Sequence, residues 1–225
     1  MARTTPSPKK TRGAGYIPTE VTINPSTPIT PHGGLLKNPI LGTQPGKCYL
    51  RTRHNHHGNK YQVWTLKPSR PFLIMGDSNV DRLPHIEGSR VQVDSYPGAL
   101  LAHAIHILKH KTPTSADTQT LILSFGINNK DQGNPTLIRK QLSRLLGAAM
   151  DTFPNATIHI PIINFSQDLS NRHKVNLNGL NKLIKDTGRS IPPLQKTNFA
   201  TGRDWLHWTP DTGKAMAHHW LKYLN

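Results

Sequence analysis

From residue 72 onward the apolar positions of this chain fall into two alternating patterns. Short runs at Phe72–Met75, Val91–Asp94, Thr120–Ser124 and Thr157–Pro161 read as strands buried in a sheet. Between and after them lie stretches with apolar residues at helical spacing. Ala99 to Lys109 carries Leu100, Leu101, Ala104, Ile107 and Leu108 on one stripe, and Val175 to Lys185 carries Leu177, Leu180, Leu183 and Ile184. Pro135 to Met150 and Pro210 to Leu224 are further helices. Each opens on proline, whose missing N–H costs nothing in a first turn, and Thr209 is placed to cap the second. Strands alternating with helices predict a mostly parallel central sheet between two helical layers, a three-layer α/β/α sandwich. Residues 186–203 are broken by Gly188, Pro192 and Pro193 and read as loop, whereas Tyr61–Leu66 alternates like an edge strand. The folded domain is therefore expected over residues 60–225.

Composition changes this picture at the N-terminus. Residues 1–47 are rich in Pro, Thr, Gly and Lys without either period, so residues 1–59 are expected to form a disordered arm and connector. The formal net charge is +16, and eleven of the 28 basic residues but only one of the 12 acidic ones fall in residues 1–70. Such an arm attracts polyanions such as RNA, DNA or an anionic membrane surface, with Lys9, Lys10, Arg12, Arg51 and Arg53 as candidate contacts; a solvated, solubilising tail is the alternative. Cys48 is the only cysteine, which excludes an internal disulfide and fits a reducing compartment. Cys48, His54, His56 and His57 are metal-ligating types, yet their spacing matches no zinc-finger pattern, and no metal or other cofactor is assigned. There is no apolar run of transmembrane length and no signal-peptide core, so an intracellular, cytoplasmic or nuclear location is expected.

The chemistry concentrates where strands end. Gly76-Asp-Ser-Asn79 follows the first run, Tyr96-Pro-Gly98 the second and Gly126-Ile-Asn-Asn129 the third, all at the edge where open α/β sheets bind ligands. A fourth loop, before the last helix, holds Asp204-Trp-Leu-His207. Taken one at a time these blocks have plainer readings. Asp77 and Ser78 are good turn formers, Gly98 opens a helix, Asp204 pairs with Arg203 or Arg189, and His207 packs between tryptophans.

Taken together, the four blocks in this order resemble the SGNH (GDSL-like) hydrolase superfamily over roughly residues 70–225. The resemblance implies a flavodoxin-like fold and a serine esterase. Ser78 would be the nucleophile, His207 the general base and Asp204 the group that orients it; the Ser78 and Gly98 backbone N–H groups and the Asn128 amide would form the oxyanion hole. The chain departs from the family in carrying Asn129 where an aspartate is usual and Tyr96-Pro97 before its glycine. A narrower similarity covers Thr52-Arg-His54, Trp64-x-Leu66, Gly76–Asn79, Asp94–Ala99, Ser124–Asn129 and His207-Trp-Thr209. These segments are similar to SGNH esterase domains encoded by fish mobile elements, in the first open reading frame of LINE-type retrotransposons.

The expected activity is hydrolysis of short-chain, acetyl-type esters of a small molecule, carbohydrate or lipid. The alternative is an inactive SGNH-fold accessory protein that binds nucleic acid. Phosphodiester cleavage is poorly supported, because no carboxylate cluster suited to two metal ions accompanies Ser78.

Overall fold

A computed structural model describes residues 50–55, 58–86, 90–113 and 117–224. The greater part of the basic arm, with Lys9, Lys10, Arg12 and Cys48, lies outside these residues. Six parallel strands form one sheet: β1 (Leu50–Arg53), β2 (Phe72–Gly76), β3 (Val91–Ser95), β4 (Thr120–Ser124), β5 (Thr157–Pro161) and β6 (Ser190–Ile191). Their order is β1-β3-β2-β4-β5-β6. Apart from β1 this is the 2-1-3-4-5 order of flavodoxin-like sheets, in which the chain reverses direction between the central strands, here β2 and β4. The loops after β2 and β4 therefore diverge and leave a crevice at the carboxyl edge. Gly76-Asp-Ser-Asn79 and Gly126-Ile-Asn-Asn129 are those two loops.

The central strands are apolar throughout because both faces are covered. Leu73, Met75, Leu121 and Leu123 pack with Leu101, Ala104 and Ile107 of α2 (Leu101–Lys109), Ile138, Leu142 and Leu145 of α3 (Pro135–Thr152), and Leu180 and Ile184 of α4 (Asn171–Asp186). Phe72, Ile74 and Ile122 point the other way, onto Met216, Ala217 and Trp220 of α5 (Pro210–Leu221). Successive residues serving opposite faces is the period of a strand, so one continuous run feeds two cores. Thr209 caps α5 as expected, its hydroxyl accepting the Thr212 N–H at 3.2 Å. Among the described residues no helix is long and apolar enough to cross a membrane.

Three expectations change. The sheet begins at Leu50, ten residues before the expected domain start, because Leu50–Arg53 pairs with Gln92–Ser95 as an edge strand. Tyr61–Leu66 is not a strand. Asn59 accepts the Tyr61 N–H at 3.0 Å and opens the one-turn helix α1 (Lys60–Val63), and only Leu66 makes a bridge, to Lys111. Within the expected loop 186–203, Ser190–Ile191 closes the far edge of the sheet against β5.

Candidate active site

Ser78 sits just beyond β2, at the switch point. Gly76 makes this turn possible: a β-carbon there would lie 2.4 Å from both the Ser124 carbonyl oxygen of β4 and a Val80 methyl. The loop before α5 brings in His207, the candidate base. Ser78 Oγ–H donates to His207 Nε2 across 2.9 Å, while His207 Nδ1–H donates to an Asp204 carboxylate oxygen in a short contact. The other Asp204 oxygen accepts the backbone N–H groups of Leu206 and His207 at 3.1 and 3.0 Å. Hydrogen bonding to His207 is the main cause that holds the Asp204 carboxyl down at about 2, so it is ionised throughout any neutral assay. Asp204 pairs with neither Arg203 nor Arg189 among the described residues.

Two of the oxyanion candidates, Gly98 and Asn128, lie side by side. Gly98 adopts φ +73°, a left-handed conformation that suits glycine, and so turns the chain from β3 into α2. Asn128 Nδ2 donates to the Ala99 carbonyl at 3.0 Å, which sets its amide beside the Gly98–Ala99 turn with a second N–H still to give. The neighbouring Asn129 does structural work: its side-chain oxygen accepts the Leu101 N–H at 3.2 Å, satisfying a first-turn donor of α2. An aspartate could accept in the same way, so the departure at this position leaves the loop intact.

Arg51 and Arg53 both reach the segment after Ser78, Arg51 half-buried and Arg53 exposed. The Arg51 guanidinium donates to the backbone carbonyls of Asp81, Leu83 and Pro84, and Arg53 pairs with the Asp81 carboxylate. His54 Nε2–H donates to the Asp94 carboxylate at 3.0 Å and the ring stacks on Tyr96 at 4.2 Å, which builds the base of the Gly98 loop.

Two groups escaped the sequence reading. Asn79, buried next to Ser78 in sequence, donates to the Leu206 carbonyl at 3.2 Å and accepts the Trp208 N–H at 3.0 Å, so it grips the loop on both sides of His207. The Asn in Gly-Asp-Ser-Asn was visible, but nothing in spacing could link it to residues 127 and 129 positions away. Asn79→Leu keeps the branching of the side chain and removes both bonds. We expect kcat to fall by ~10–100-fold with KM little changed, because a small misplacement of the base costs about that much. A variant with full kcat and a lowered Tm would reduce Asn79 to a scaffold group.

Asp77 is the other. Burial beneath the turn pushes its carboxyl up to about 7, against the opposing Asn79 N–H and the His207 charge. An acid whose folded pKa exceeds its ordinary value of 3.8 stabilises the fold fully below that value, and the contribution is lost as pH rises to about 7. Asp77→Asn should therefore flatten the fall in Tm between pH 4 and 7 and be more stable than wild type at pH 8. Parallel melts with unchanged slopes would refute this.

No family model and no curated protein matches the sequence. Solved structures do match. A member of the lipolytic G-D-S-L family from Veillonella parvula aligns over 68% of this chain and 97% of its own, at 17% identity and TM-score 0.55. A candidate platelet activating factor from Streptococcus pneumonia aligns over 70% and 85%, at 15% identity and TM-score 0.55. A carbohydrate esterase family 2 enzyme with a carbohydrate binding domain, from Corynascus thermopiles (Myceliophthora fergusii), aligns over 70% and 66%, at 13% identity and TM-score 0.52. At these identities the likeness is one of fold: this chain shares the α/β architecture of these solved structures.

Proposed function

We propose that this chain is an SGNH-type serine esterase that hydrolyses short acyl, acetyl-type esters. The observation that carries the reading is the continuous Ser78–His207–Asp204 hydrogen-bond chain at the switch point of the sheet, with Asn128 held beside Gly98. In the reaction, His207 Nε2 takes the Ser78 proton as Oγ attacks the ester carbonyl. The oxyanion that forms is met by the Ser78 and Gly98 backbone N–H groups and the Asn128 amide. The imidazolium, steadied by the Asp204 carboxylate, returns the proton to the departing alcohol. Water, deprotonated by the same imidazole, then releases the acid from Ser78.

Carbohydrate or lipid esters are the substrate classes proposed. The similarity to mobile-element esterase domains belongs to the same proposal, with RNA or DNA as the companion of the basic arm. The full chain should hydrolyse 4-nitrophenyl acetate without added metal and at an unchanged rate with chelator. Activity that vanishes with chelator and returns with zinc would overturn the serine mechanism.

A further inference from the structure

Beside the base loop lies a cleft of about 680 Å³ whose walls are the segment after β5, α4, residues 193–201 and Trp205. Its frame is built in advance. Asn164 donates to and accepts from the Leu194 backbone at 3.0 Å each, and Asn181 grips the Ile163 backbone at 2.8 and 2.9 Å. Two amides thus tie the walls together before any ligand arrives.

What the cleft offers is three cations and an aromatic plate. Lys182 and Lys185, three residues apart on α4, stand side by side, and Lys196 faces the same space from the opposite wall. None of the three makes an ion pair with the described residues. The one acid lining the cleft, Asp168, accepts the Ser166 hydroxyl at 3.0 Å. Trp205 lies between the two catalytic residues of the base loop. It is 46% exposed and adopts φ +60°, a conformation that residues with a β-carbon rarely hold. Folding alone would favour glycine or asparagine at such a position, and a bulky apolar ring left in water favours burial instead. A strained, exposed indole at the rim of a cleft points to a ligand face.

We propose that this cleft binds a nucleotide unit, its base or sugar ring on Trp205 and its phosphate on Lys182, Lys185 and Lys196. A neutral sugar would leave the lysines unused, and an acyl chain would gain nothing from them. Building on the esterase reading above, the substrate is then an O-acyl nucleotide, free or at the end of a single strand. Water and the ester yield the nucleotide hydroxyl and a carboxylic acid, with the nucleotide as the leaving alcohol.

The chain contains four tryptophans, of which Trp64, Trp208 and Trp220 are buried, so the part of the ligand-induced change in emission that depends on Trp205 reports the cleft. Titrating the full chain with AMP should quench it, and adenosine should bind at least ~10-fold more weakly, since charge-assisted bonds to phosphate are lost. Trp205→Phe should abolish the signal. Lys182→Gln/Lys185→Gln/Lys196→Gln keeps the basic arm and should bring AMP down to the level of adenosine. Tighter quenching by a short single-stranded oligonucleotide than by AMP assigns the site to a strand, and the reverse assigns it to free nucleotide. Equal quenching by adenosine, by an acidic peptide or in the triple-lysine variant overturns the proposal, as does absence of quenching. 4-Nitrophenyl acetate turnover, measured alongside, separates the two readings. Turnover without quenching removes the cleft site and leaves the esterase, whereas quenching without turnover removes the esterase and leaves a nucleotide-binding cleft.

Discussion

Ser78→Ala is expected to lower kcat for acetyl-ester hydrolysis by ~10⁶, and His207→Ala by about as much, with the double variant no lower than either. The lack of additivity follows from the geometry, since Oγ and Nε2 share one proton across a single 2.9 Å hydrogen bond and either loss removes the same step. Ser78 lies past the end of β2 and His207 in a loop, so neither change opens a core, and both variants should melt close to wild type. Asp204 needs a finer comparison. Its carboxylate bonds the imidazole and also accepts two backbone N–H groups of its own loop. Asp204→Asn retains an acceptor for the loop and loses the charge that supports the imidazolium, and should cost ~10⁴ in kcat. Losses in all these variants that followed Tm, rather than the chemistry, would make the triad a packing motif.

Asn128→Ala should lower kcat by ~10²–10³ with little change in KM, equivalent to about 3–4 kcal/mol of transition-state stabilisation. The amide already gives one N–H to the Ala99 carbonyl, which fixes its direction before substrate binds. Its second N–H then needs no reorganisation when charge develops on the oxyanion, and that is why the loss should fall on kcat. If KM rises instead, or if kcat is unchanged, Asn128 serves only to hold the Gly98–Ala99 turn. Steady-state kinetics on one acetyl ester series, with a thermal melt of the same preparation, decides between these outcomes.

How much of this could be read from the chain depends on the range of the forces involved. Phe72–Gly76, Thr120–Ser124 and Thr157–Pro161 were legible because strands covered on both faces are apolar enough to stand out locally. Pro135 and Pro210 marked their helices for an equally local reason, as did Thr209. The four blocks that carry Ser78, Gly98, Asn128 and His207 were visible as loop chemistry following predicted strands or preceding a predicted helix.

Edge strands were not legible. Leu50-Arg-Thr-Arg53 has a single apolar residue, and it becomes a strand only because β3 offers an open edge and because Arg51 and Arg53 find partners about thirty residues on, just after Ser78. Tyr61–Leu66 alternated like a strand, yet the Asn59 cap and the anchoring of Trp64 on the His54 carbonyl settled it otherwise. The composition of the site was thus determined by the sequence, and its alignment by the tertiary structure. Asn79 holds the backbone around His207, Asn129 steadies α2, and Trp205 turns outward. Each of these depends on a contact or strain that exists only once distant segments meet, and no periodicity or spacing records such a contact in advance.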